Sequence, residues 1–187
     1  MMGHGGNVIE ELAADHRDIR ELLERLQAAN AAANVRGALV ARLSIELSGH
    51  TSAEEQYLYP TVREYVPEGA ALADGELAAH ARIEALLRRL EGASDRGGEF
   101  GDLLERLAAE VDAHMRDEED RVFPALARAC SPDALDELGR TVRTAKVTAP
   151  TRPHPASPDT PPGNILLDPA LGLIDRARDQ FTGRGHG

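Results

Sequence analysis

SGHTSAEEQYLYP, residues 48–60, sets His50 four residues before Glu54 and ends on Pro60, and AHMRDEEDRVFP, residues 113–124, repeats the arrangement around His114, Glu118 and Pro124. Residues four apart on a helix lie about 40° from one another and one turn along the axis. Each stretch thus offers an imidazole and a carboxylate to one neighbour. Leu43 and Leu47 before the first pair, and Tyr57 and Leu58 after it, give the surrounding helix an apolar stripe. Two copies of so unusual a pairing call for one explanation.

A shift of 64 residues relates the copies, and it reaches further back along the chain. It lays DHRDIRELLERL (15–26) on AHARIEALLRRL (79–90), so that His16 matches His80. Apolar residues recur at helical spacing in four blocks: Val8-Leu12-Ile19-Leu23-Leu26, Leu39-Leu43-Leu47-Leu58, Leu72-Leu77-Ile83-Leu87-Leu90 and Leu103-Leu107-Val111-Val122. The breaks fall at Asn34-Val35-Arg36-Gly37, at Pro67-Glu68-Gly69 and between Gly92 and Gly98. Such short connections favour antiparallel neighbours, and the pattern predicts an all-α, up-down four-helix bundle. His16 and His50 stand 34 residues apart, as do His80 and His114. One histidine from each helix then arrives at a matching depth.

Composition agrees with this reading. Of the 187 residues 42% are hydrophobic but only 3% aromatic, so the core is built of Leu, Ala, Val and Ile. A formal net charge of -11 argues against nucleic-acid or anionic-membrane partners. The lone Cys130 permits no internal disulfide, and no apolar run is long enough to span a bilayer, which predicts a cytoplasmic protein. Ser131-Pro132-Asp133 opens a short fifth helix to about Thr144. The expected organisation is a bundle with its fifth helix over 1–147, a Pro-rich linker over 148–163 and a C-terminal segment over 164–187 that carries a short amphipathic helix. His4, His154 and His186 lie in Gly- or Pro-rich stretches and are expected in solvent.

Four imidazoles and two carboxylates converging in a bundle interior would cost several kcal/mol for each unpartnered charge. A metal cluster satisfies them all, and imidazole with carboxylate suits iron. His16, His50, Glu54, His80, His114 and Glu118 are six ligands, enough for two metals with bridging carboxylates. Leu12 aligns with Glu76, so an acid has entered one turn before His80, and Glu76 is the candidate seventh ligand. Glu55 and Glu119, at i+5, point about 140° from their histidines and reach the centre only if the helix is distorted; Glu119 remains a rival to Glu118. Tyr57 lies within reach of the site as a hydrogen-bond donor or ligand. Glu46 and Glu110, one turn before their histidines, are candidates for a supporting shell or for an edge salt bridge. A ferritin-like reading needs Glu three residues before a histidine, and Ala13, Leu47, Leu77 and Val111 stand there instead.

The ordered set of DH with an apolar residue three later, HxxxEE ending in LYP, a lone third-helix His, and HxxxEE ending in FP resembles the hemerythrin-like, or HHE cation-binding, family over residues 8 to 130. The resemblance implies a non-haem di-iron centre, two iron ions joined by an oxo or hydroxo group and by the carboxylates of Glu54 and Glu118. Glu76-x-x-x-His80 departs from the His-x-x-x-His of the oxygen carriers and is similar to a glutamate-type branch among actinobacterial members. A further anionic ligand favours the ferric state, and with it turnover of hydrogen peroxide or nitric oxide over reversible O2 carriage. The alternative is a non-enzymatic oxygen- or iron-binding sensor that signals to a protein partner, or self-associates, through residues 164–182.

Overall fold

The first helix starts where Asn7 caps it. Its side-chain oxygen accepts from the backbone N–H of Ile9 at 2.9 Å and of Glu10 at 3.1 Å, while Glu10 reaches back to the Asn7 N–H at 2.9 Å, a reciprocal capping box. In this computed structural model, which describes residues 4–28, 33–93 and 98–148, that helix is α1 (Val8–Ala28). The second bundle helix is α2 (Ala33–Ala53), a π-turn (Glu54–Leu58) and α3 (Tyr59–Tyr65). The third is α4 (Gly69–Gly92), and the fourth is α5 (Gly98–Asp117), a second π-turn (Glu118–Val122) and α6 (Phe123–Ala129). A fifth helix, α7 (Pro132–Thr148), closes one side against α1 and α2.

The expected all-α bundle is thus present, with no strand among the described residues. Two boundaries differ from expectation. Asn34 to Gly37 lie inside α2, whose helix is already running at Ala33, and α7 continues past Thr144 to Thr148. The Pro67–Gly69 break is real. Glu68 takes a left-handed conformation (φ 59°), and a Cβ on Gly69 would fall 2.0 Å from the Val62 carbonyl oxygen, so only glycine fits this corner. Residues 149–187, where a Pro-rich linker and a short C-terminal helix are expected, lie outside the described residues, and His154 and His186 with them.

Two apolar clusters fill the bundle. One contains Ile19, Leu43, Leu47, Ile83, Leu87, Leu107 and Val111; the other contains Val8, Leu12, Ala53, Leu58, Val62, Ala73, Val122 and Leu126. Each bundle helix passes from one cluster to the other, and its histidine stands at the crossing: His16 between Leu12 and Ile19, His50 between Leu47 and Ala53, His80 between Ala73 and Ile83, His114 between Val111 and Val122. The polar layer is sealed by hydrocarbon above and below.

Candidate metal centre

The two π-turns explain how the acids reach this layer. In each, the backbone bonds five residues back: the Tyr59 N–H donates to the Glu54 carbonyl and the Phe123 N–H to the Glu118 carbonyl. Pro60 and Pro124 follow at once, in the first turn of α3 and α6. A proline has no N–H to return to the carbonyl four residues back, which leaves that turn free to widen. The wider turn presents both glutamates of each EE pair.

Glu54 and Glu118, fully buried, point into the centre. His50 Nε2 lies 3.1 Å and His80 Nε2 3.3 Å from Glu54 oxygens; His16 Nε2 lies 3.2 Å and His114 Nε2 3.6 Å from Glu118 Oε2. The Nε2 atoms of His80 and His114 are only 3.3 Å apart. Five of these buried atoms, Nε2 of His16 and of His50, both Glu54 oxygens and Glu118 Oε2, make no hydrogen bond of acceptable geometry in the protein. Buried polar atoms are ordinarily paired, so a group of inward-facing lone pairs without donors has the chemistry of a cation site. Ligand atoms lie within 4.8 Å of one another in three overlapping groups: His16, His50, Glu54 and Glu118; Glu54, His80 and His114; and Glu76, His114 and Glu118. Glu54 and Glu118 are each shared between groups, which suits two ions joined by carboxylates.

The outer nitrogens are equally well served. Nδ1 of His16 meets Glu119 at 2.8 Å, Nδ1 of His80 meets Glu55 at 2.7 Å, Nδ1 of His114 meets Glu76 at 2.8 Å and Nδ1 of His50 faces Asp15 at 3.4 Å. Every imidazole thus has a carboxylate on one nitrogen and the centre on the other. Such carboxylate–histidine pairs set the tautomer and orientation of metal-ligating rings. Glu55 and Glu119, which a regular helix would turn away, are brought in by the π-turns, and Arg20 fixes Glu119 at 2.9 Å. Glu76, expected on the metal side, sits on the outer nitrogen of His114. It compensates for another break in the repeat: Asp15, the acid behind His50, aligns with Ala79, and Glu76 supplies the missing carboxylate from one turn earlier.

The remaining expected supporters have other partners. Tyr57 is half-buried against the apolar cluster, Glu46 pairs with Arg42, and Glu110 pairs with Arg82 at 2.9 Å. The tyrosine at the centre is Tyr59, two residues on. Its hydroxyl is 3.0 Å from Glu118 Oε1, to which it donates, and 3.0 Å from His80 Nε2. Tyr59 aligns in the repeat with Phe123, which stacks on His16 at 5.6 Å. One half of the centre has a phenol where the other has a bare ring.

Burial, reinforced by the nearby Glu118 charge, pushes the Glu54 carboxyl well above its usual range, and burial with the same neighbours keeps Tyr59 a neutral phenol. Burial also holds the His50 imidazole down to about 4, against the pull of Asp15. Without metal the glutamate pair therefore retains a proton that a cation must displace. Metal uptake should acidify a weakly buffered solution, and affinity should fall as the pH is lowered; a titration with no proton release would contradict this. Glu55→Ala and Glu119→Ala should each weaken metal binding by about 10–100-fold through loss of ring orientation, as read by competition with a chelator. Parental affinity in both would remove them from the site.

Four antiparallel helices that direct four imidazoles and two carboxylates into one sealed layer define a metal-binding helical bundle. Comparison with known proteins refines the class. The hemerythrin HHE cation binding domain model matches residues 7–126, and the chain belongs to that family. A crystal structure of a hemerythrin HHE cation binding domain-containing protein from Mycobacterium kansasii superposes with a TM-score of 0.67 at 25% identity, covering 75% of this chain and 85% of that one. A hemerythrin-like protein of Schizosaccharomyces pombe is 25% identical over 137 residues, 73% of this chain and 68% of its own. A DNA nickase of Nostoc is 28% identical over 142 residues, 75% of this chain but only 39% of the nickase. No described helix is long and apolar enough to cross a membrane.

Proposed function

We infer that the chain is a non-haem di-iron oxidoreductase acting on hydrogen peroxide or nitric oxide, with iron held by His16, His50, Glu54, His80, His114 and Glu118 and with Tyr59 beside His80 and Glu118. The observation that carries this reading is the set of inward Nε2 atoms and carboxylate oxygens lacking protein partners, backed by a carboxylate on every outer nitrogen. Imidazole and carboxylate donors, with Cys130 in none of the ligand groups, favour iron over thiolate-bound metals. When bound, an iron pair supplies one-electron and two-electron redox chemistry. The protein's own part is to orient the rings, to surround the pair with anionic groups that favour the ferric state, and to exclude bulk water with its two apolar clusters. Beside four neutral imidazoles, the site carries two glutamates at the centre, four carboxylates behind the rings and the Tyr59 phenol. That balance supports redox turnover over O2 carriage. A charge of -11 argues against a nicking activity on DNA.

The test is turnover by the iron-loaded protein. It should consume peroxide or nitric oxide faster than the same concentration of free iron, and Tyr59→Phe should change the rate and the visible spectrum together while the fold persists. A loaded protein that consumes neither faster than free iron does would contradict the oxidoreductase reading.

A further inference from the structure

We propose that Lys146 is a positioning residue for the metal centre: acting through Asp15, it fixes the His50 ring so that Nε2 faces the metal. The proposal rests on the metal-binding reading above. Lys146 is the only lysine in the chain, and it is buried to 2% exposure in α7, far from the surface where a lysine is usually found. Its place there is built. Leu135 and Val142 bury the apolar face of α7, and at Gly139 the helix approaches the start of α1 so closely that a Cβ would fall 2.8 Å from the backbone of Asn7 and Val8. Seven residues on from Gly139, and so on the same face, the Lys146 ammonium enters between Glu11 and Asp15.

There Nζ lies 2.7 Å from both Asp15 oxygens and also donates to Glu11 Oε1. A compact ammonium with three rotatable donors matches three acceptors spread over two carboxylates; a planar guanidinium does not. This accounts for a lysine at this one position in a chain otherwise cationic through arginine. Asp15 in turn faces Nδ1 of His50, and His4 Nε2 adds a contact to its other oxygen at 3.4 Å. Without the ammonium, Asp15 has no group that holds both oxygens, and its 3.4 Å approach to His50 is loosely aimed.

The other half of the centre is built differently. Glu76 does for His114 what Asp15 does for His50, yet the group it meets is Asp117, itself held by Arg121 at 2.7 Å, whose charge Glu76 also feels. Cations therefore bond the outer carboxylates of His16 and His50 directly, through Arg20 and Lys146, whereas Glu76 meets Arg121 through Asp117.

The experiment is a Co2+ titration of the full chain, followed by the visible spectrum of the bound ion, on the parent, on Lys146→Met and on the double variant Lys146→Met/Glu11→Gln. The double variant removes one charge of each sign, so it leaves no stranded Glu11 carboxylate to unfold the bundle. Both variants should bind Co2+ about 10–100-fold more weakly, with an altered spectrum. Parental affinity and spectrum in the double variant would overturn the proposal and assign any loss in the single variant to Glu11. A parent that takes up no Co2+ would overturn the metal-binding reading and this inference with it.

Discussion

Glu54→Gln should leave a metal-free protein that melts at or above the parental temperature and that no longer gains stability from metal. In the parent, Glu54 and Glu118 are both fully buried, and burial together with the Glu118 charge drives the Glu54 carboxyl upward. A carboxyl whose folded value is raised destabilises the fold at high pH, and the penalty is relieved as pH falls through that value. Glutamine is close in shape and supplies a permanent donor where the carboxyl must borrow a proton. It removes the penalty together with a shared ligand. Metal at a hundred times its dissociation constant stabilises the parent by about 2.7 kcal/mol, and this increment should vanish in the variant. Melting curves with and without metal give the answer. An equal metal-induced shift in both proteins would place Glu54 outside the centre.

His114→Ala should lose metal and destabilise the bundle. The ring is 4% exposed and its Nδ1 holds Glu76. Truncating a core side chain of this size costs about 2–5 kcal/mol, and stranding the buried Glu76 adds about 1–3 kcal/mol. Urea unfolding should show a midpoint far below the parent's. A parental midpoint with full metal content would contradict the convergence of the four helices.

The bundle and its four histidines were legible because they follow the 3.6-residue period and a 64-residue repeat, both visible in the chain itself. What was not legible lies where that period fails. The π-turns at Glu54 and Glu118 move everything after them by about one residue, which is why Tyr59 rather than Tyr57 faces the centre and why Glu55 and Glu119 reach the outer nitrogens. The available signal was Pro60 and Pro124, six residues after Glu54 and Glu118, each following an EE pair. Glu76 is visible as a break in the repeat, but its contact with the outer nitrogen of His114 is not, since only the missing acid at Ala79 shows what it replaces. Lys146 was invisible for another reason: its partners Glu11 and Asp15 lie more than 130 residues away. Only its being the sole lysine marked it.

The central claim, that this layer holds a pair of iron ions, is tested most directly by elemental analysis and an absorption spectrum of the protein isolated from cells supplied with iron. About two irons per chain are expected from overlapping ligand groups that share Glu54 and Glu118, with a near-ultraviolet spectrum that disappears on reduction. A single zinc per chain and no iron would contradict it.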